Sequence, residues 1–296
     1  MKTVRLSALY ATVAAIGVLI ASVGTDAVQP RPQPPKSPRL YVFDCGTLEG
    51  DPARFHLKRE EMATTDMSVA CYLVVHPNGT LIWDTGAVPD AEVTSENQRT
   101  RYHIVLTNAE RYVTLGKSLK QQLADAGHAA GDITYVALSH YHYDHTANSN
   151  EFANATWLVR QVERDAMFAE KPPDLVQRAT FNALRNSKTV IIKADDYDVF
   201  GDGSVVIKWA PGHTPGHQVL LVKLARTGPV LLSGDLYHYP EERTLDRVPT
   251  FDTDPAQTRR TRAAIDAFLK KNRARLWIQH DFTANAALKK APAFYD

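Results

Sequence analysis

Only two cysteines, Cys45 and Cys71, occur in 296 residues, and they do not form a CxxC pair. That excludes a disulfide scaffold and thiol exchange chemistry; with no spacing to dictate a bridge, the expectation is two free, buried thiols. Net charge is almost absent, because 34 Lys and Arg stand against 33 Asp and Glu, and no long basic run is present. The expected partner is therefore a small molecule and not nucleic acid. No short-period repeat appears, which excludes a solenoid. Apolar residues are not scarce: at 44%, with 23% charged, they suffice for a buried core and exclude a disordered chain.

The amino terminus reads as a targeting segment. Lys2 and Arg5 precede an uncharged stretch at 6–25, the basic and apolar regions of an export signal, with small residues near Gly24 and Ala27 for cleavage. Five prolines at 29–38 then suggest an extended linker. The expected organisation is a signal at 1–27, a linker at 28–38 and one domain at 39–296, exported to the periplasm or medium. A membrane is a partner only if the first segment stays uncleaved as an anchor. Homodimerisation is left open.

Beyond residue 39 the pattern alternates strands and helices. Short β-type runs at 40–43 and 70–75, a Pro-Asn-Gly turn and a run at 80–83 open the domain with a strand and a hairpin. Residues 108–126 place Tyr112, Leu115, Leu119 and Leu123 at helical spacing, which predicts one amphipathic helix stopped by Gly127. Strands are expected at 133–138, 189–193, 204–209, 219–224, 230–232 and 275–279, with a helical region broken by Pro172 and Pro173, and a long helix beginning at Asp254-Pro255. The economical architecture is α+β, two sheets packed face to face with helices outside.

The densest chemistry follows the strand at 133–138, where residues 140–145 read His-Tyr-His-Tyr-Asp-His. In an extended segment residues i and i+2 share a side, so His140 and His142 can close on one cation, while the next turn swings Asp144 and His145 toward a second. Packed this densely, imidazoles and carboxylates need a metal to tie them together. Three more islands follow strands: His213 and His217 in Gly-His-Thr-Pro-Gly-His at 212–217, Asp235 in Ser-Gly-Asp at 233–235, and His280. Asp84, in Asp-Thr-Gly at 84–86, is a candidate carboxylate for orienting an imidazole.

These motifs, in this order, resemble the metallo-β-lactamase-fold hydrolases, and within them the N-acyl-homoserine lactonases. Tyr-Val-Phe-Asp-Cys-Gly at 41–46 and Ser-Val-Ala-Cys-Tyr at 68–72 share that resemblance. It implies an αββα sandwich from Leu40 onward and two Zn²⁺ ions: His140, His142 and His213 on one, Asp144, His145 and His280 on the other, Asp235 between them. The implied activity is quorum-quenching lactone opening by a hydroxide that bridges the two metals, with Asp144 among the catalytic groups. Seven donors match what two such ions require, leaving His217 to hydrogen-bond within its turn or behind a ligand. The family form known best has a tyrosine three positions after the bridging aspartate. Here His238 occupies that position with Tyr237 and Tyr239 beside it, so His238 and Tyr237 are both candidates to hold the substrate carbonyl. An acyl chain would need an apolar channel, for which Leu48, Met67, Phe168, Phe181 and Leu236 are candidates. Other esters, phosphotriesters and β-lactams are the alternative substrates; a structural zinc protein is disfavoured by the lack of thiolate ligands.

Overall fold

The computed structural model describes residues 34–107 and 109–296. The expected export segment at 1–27, and the linker up to residue 33, lie outside the described residues.

Among the described residues fourteen strands form two sheets. They are β1 (Arg39–Glu49), β2 (Asp66–His76), β3 (Gly79–Trp83), β4 (Thr100–Val105), β5 (Glu110–Leu115), β6 (Tyr135–Ala137), β7 (Thr156–Val159), β8 (Thr189–Ile191), β9 (Asp196–Asp198), β10 (Val205–Trp209), β11 (Gln218–Leu224), β12 (Gly228–Leu232), β13 (Arg275–Trp277) and β14 (Phe294–Tyr295). The first sheet runs β4-β5-β1-β2-β3-β6-β7-β8 with β14 beside β1, and the second runs β13-β12-β11-β10-β9. Both are mixed: β3, β6, β7 and β8 are parallel neighbours, as are β12 and β13, whereas the other pairs are antiparallel.

Side-chain alternation makes the layers. On β1, Leu40 and Val42 face the second sheet with Ala70, Tyr72 and Val74 of β2, and meet Leu220 and Val222 of β11 there. The intervening Tyr41, Phe43, Val69 and Cys71 face outward, toward Leu119 and Leu123 of α1 (Leu119–Asp125). On β11, Val219 and Leu221 turn the other way, onto Ile265 and Leu269. Every strand of this kind is buried on both faces because period two feeds two different cores. Four further helices, α2 (Tyr143–Thr146), α3 (Gln161–Met167), α4 (Pro240–Thr244) and α5 (Pro255–Asn272), and a short α6 (Phe282–Ala287) complete the molecule. The result is the expected αββα sandwich. No helix among the described residues is long and apolar enough to cross a membrane.

Two expectations are corrected. Residues 108–126 are not one helix: β5 pairs with β4 as a hairpin, and only α1 is helical, capped by the Ser118 hydroxyl accepting from Gln121 N. Leu115 shares a helical face with Tyr112 but a strand face with Val113, and pairing with β4 decides for the strand. Cys45 and Cys71 are bonded to each other, because neighbouring β1 and β2 bring their Cα atoms to 5.9 Å.

Candidate metal centre

All seven donors expected from the sequence sit where strands end. β6 runs into the loop of His140 and His142, and α2 carries Asp144 and His145; His213 follows β10, Asp235 follows β12 and His280 follows β13. Strand ends from both sheets meet at this rim, so residues distant in sequence converge without disturbing the core. Two groups result, His140, His142, His213 and Asp235 in one and Asp144, His145 and His280 in the other, each with its donor atoms within 4.8 Å of one another.

Asp235 divides its carboxylate between them. Its Oδ1 lies 3.1 Å from His145 Nε2 and 3.0 Å from His280 Nε2, while its Oδ2 lies 3.5 Å from His140 Nε2 and 3.3 Å from His213 Nε2. Asp144 Oδ2 faces the second group alone, 3.8 Å from His145 Nε2 and 3.7 Å from His280 Nε2.

The far side of these rings sets which nitrogen faces inward. His145 Nδ1 lies 2.9 Å from Asp84 Oδ2, His213 Nδ1 lies 2.8 Å from Asp252 Oδ1, and His280 Nδ1 donates to the Ser68 carbonyl at 2.7 Å. Each partner is an acceptor, so each Nδ1 carries the proton and each Nε2 turns a lone pair inward. There the lone pairs meet one another: His213 Nε2 is 3.2 Å from His140 Nε2 and 3.1 Å from His142 Nδ1. His145 Nε2, His280 Nε2 and Asp235 Oδ1 are buried with no hydrogen-bond partner. Converging lone pairs and orphaned acceptors are costly unless cations lie between them, and imidazole with carboxylate is a donor set that suits Zn²⁺ and its neighbours. The residues fit divalent metal ions.

Charge within the cluster is strongly displaced. Burial, followed by the neighbouring His145 for one and His213 for the other, holds His140 and His142 well below the ordinary imidazole range. Burial also opposes charge on His145 and Asp235, yet their mutual attraction outweighs it, raising the imidazole and lowering the carboxyl.

Support comes from groups that sequence reading found only in part. Asp84, at φ +56°, ends β3 and also accepts from Ser139 N at 2.6 Å and from Gln279 Nε2 at 2.9 Å. His217 donates from Nδ1 to the Ala210 carbonyl at 2.8 Å, and its Nε2 accepts the Asp235 amide at 2.9 Å, so it stands behind the donors. Asp252 and Glu163 were missed. Glu163 accepts from Tyr141 N, Thr214 Oγ1 and Gly216 N at 2.8 to 3.0 Å, tying the His140 loop to the His213 loop; burial pushes its carboxyl up to about 7. A Cβ on Gly216 would lie 2.5 Å from Glu163 Cβ, which explains that glycine. No motif announces Glu163 on a helix or Asp252 in a loop.

Of the two candidates near residue 238, only one reaches the cluster. Tyr237 is corrected: it packs with Ile265 and Leu269 beneath the Arg262 guanidinium, whose Cζ is 4.2 Å from the ring centre. Its extended backbone, φ −143° and ψ 141°, sends the next side chain the opposite way. His238 accordingly lines a cavity of about 240 Å³ with His142, Asp144 and Asp235. Its Nε2 is 3.0 Å from Asp235 Oδ2 and its Nδ1 3.2 Å from Glu242 Oε1, and although burial opposes charge these carboxylates raise it to about 10. An adjoining cavity of about 570 Å³ shares Arg54, Arg111, His142, Leu175 and Phe251, forming one cleft with the first. Leu48 and Met67 line it as expected. Phe168 packs between Trp157 and Phe181, and Leu236 lies beneath the second sheet, so these three line neither cavity.

Comparison with known proteins agrees with this geometry. The family model of the metallo-beta-lactamase superfamily matches residues 64–280. The N-acyl homoserine lactonase AttM of Rhizobium radiobacter is 28% identical over 264 residues, covering 87% of this chain and 98% of the relative. AiiA of Bacillus thuringiensis subsp. kurstaki, also an N-acyl homoserine lactonase, is 26% identical over 262 residues, covering 86% and 98%. A solved N-acyl homoserine lactone hydrolase with N-hexanoyl-L-homoserine at its catalytic metal centre superposes with a TM-score of 0.71 at 23% identity, over 86% of this chain and 98% of that one. With the family match running from the start of β2 to the last metal-facing histidine, the chain belongs to the metallo-β-lactamase superfamily.

Proposed function

We propose that this protein is an exported dinuclear metal-dependent hydrolase that opens the lactone ring of N-acyl-homoserine lactones, and so quenches quorum signals. The observation that carries the reading is Asp235, with one oxygen turned to each histidine group; curated relatives that act on these lactones support the substrate. We assign His140, His142 and His213 to one ion, Asp144, His145 and His280 to the other, and Asp235 to both, with zinc as the ion.

A pair of divalent ions, when bound, supplies a water of lowered pKa and polarises a carbonyl oxygen. The chain's own residues do the rest. Asp84, Asp252 and the Ser68 carbonyl hold three rings with their lone pairs inward, so no reorganisation is needed during reaction. Asp144 lines the cavity, where its carboxylate can take the proton released by water and return it to the departing ring oxygen. His238 lines the same cavity, and an N–H of its imidazole is a donor toward the carbonyl oxygen of a lactone seated there.

The Cys45–Cys71 disulfide supports export, since such bonds persist in oxidising compartments. Mass spectrometry of protein recovered outside the cytoplasm is expected to find an amino terminus between Gly24 and Arg39; an intact Met1 in a membrane fraction would reverse this. For the substrate, a pH-indicator assay should compare a lactone series, a phosphotriester and a β-lactam. Lactones should lead; preference for either rival by about two orders of magnitude would overturn the lactonase reading and leave the hydrolase.

A further inference from the structure

Two cations in the cleft form no direct ion pair among the described residues. They are Arg54 and Arg111, which line both of its cavities. Arg111 donates only to the Glu110 carbonyl, at 2.7 Å, and Arg54 lies over the Phe251 ring, 4.4 Å from its centre. The carboxylates that share the inner cavity are committed elsewhere: Glu49 to Arg101 at 2.6 Å, Glu110 to His103 at 3.1 Å, Asp51 to the amide of Ala53 at 3.1 Å, and Asp144 and Asp235 to the histidine cluster. Asp174, on the outer cavity, has a partner of its own. Burial and then Arg111 lower the Arg54 pKa, and the more distant attraction of Asp51 and Asp144 offsets this only in part.

We propose that Arg54 and Arg111 form a carboxylate-recognition pair, and that the preferred substrate is a lactone or ester whose acyl chain ends in a carboxylate. The inference rests on the hydrolase reading above and narrows its substrate class. Partly buried cations left unpaired are costly, and the cost is recovered only when an anion docks. A guanidinium presents the planar fork that matches a carboxylate with two parallel hydrogen bonds, which a lysine does not. Selection also works by rejection: a plain alkyl chain laid against both guanidiniums removes their water and offers nothing in return. Leu48, Phe55 and Met67 provide apolar contact for the methylenes before the charged end. The cleft thus sets two cations beside the apolar residues Leu48 and Met67.

The test uses metal-loaded full-length protein and two matched pairs, N-hexanoyl- against N-adipoyl-homoserine lactone, and ethyl hexanoate against monoethyl adipate. The carboxylated member of each pair should have a kcat/KM about tenfold higher or more, through KM, and the advantage should shrink with salt. R54M and R111M, which keep an apolar stem and the metal content, should erase it. Adipate, but not hexanoate, should raise the melting temperature of the wild-type holoenzyme, and do so less in either variant. Lactones opened without preference for the carboxylated member, or a preference that survives in both variants, would overturn the proposal while leaving the lactonase reading intact. Turnover of only the ester pair, with the preference present and lost in the variants, would sustain the anion site and remove the lactonase reading. Should neither pair react, the adipate shift and its loss in the variants decide alone.

Discussion

His213 Nδ1 and Asp252 Oδ1 are 2.8 Å apart and both buried, and the Thr258 hydroxyl holds the other Asp252 oxygen at 2.6 Å. A carboxylate behind a ligating imidazole fixes its tautomer and raises its basicity. Asp252→Ala should therefore weaken metal binding by about 10- to 100-fold while leaving all seven donors in place. Competition against a chelator measures this; unchanged affinity would reduce Asp252 to a loop anchor.

Asp235 is the one side chain whose oxygens face both histidine groups. Elemental analysis of gently purified protein should find two ions per chain, lost together with activity on chelation. Asp235→Ala should lower occupancy of both sites together, because one carboxylate is shared. Loss of a single ion from that variant would argue against the bridge.

His238 and Tyr237 can be separated by turnover. His238→Ala should lower kcat by about a hundredfold with metal content unchanged, as expected for one lost donor to the carbonyl. Tyr237→Phe should leave kcat near wild type, since its ring packs under Arg262. The reverse ranking would reassign the helper.

His217 is neutral in the fold, its pKa pushed down to about 3 by burial and then by His213. Because the folded value lies below the unfolded one of about 6.5, the stability it contributes is complete above about pH 6.5 and is lost as pH falls toward 3. In metal-free protein, His217→Gln should remove up to about 1.4 kcal/mol per pH unit from the slope of unfolding free energy between about pH 6 and pH 4. Urea titrations across that range check it, and parallel slopes would refute it.

Cys45 and Cys71 close a loop with a sequence separation of 26. Reduction, or paired Cys→Ala substitution, should cost about 3 kcal/mol of unfolding free energy, mainly by freeing the unfolded chain. Denaturant midpoints with and without reductant measure the difference; free thiols titrated in protein purified from its native compartment would contradict the bond.

Much of this molecule is local and was legible. Strand alternation from Leu40 to Val42 and from Leu220 to Leu224, the Asp254-Pro255 start of α5 and the dense run at 140–145 each depend on neighbours within a few residues, where sequence is explicit. The later donors His213, Asp235 and His280 were found because each follows a strand, a positional signal that survives without coordinates.

What stayed hidden depends on which strands become neighbours. Leu115 fits a helix with Tyr112 and a strand with Val113 until β4 pairs with β5; the two cysteines carry no spacing signal until β1 pairs with β2. Asp252 and Glu163 lie 39 and 53 residues from the groups they hold, His213 and Gly216, with no motif to link them. Tyr237 and His238 are adjacent and both polar-tipped, and only the direction of an extended backbone sends one into the core and the other to the metal-facing cleft. Sequence by itself determined the layers and marked the dense run at 140–145, because periodicity and chemical type are properties of short segments, while the full donor set was what the family resemblance implied. Tertiary structure alone decided which side chains orient the donors and which cations line the cleft, because those relations exist only once distant segments meet at the rim of the sheets.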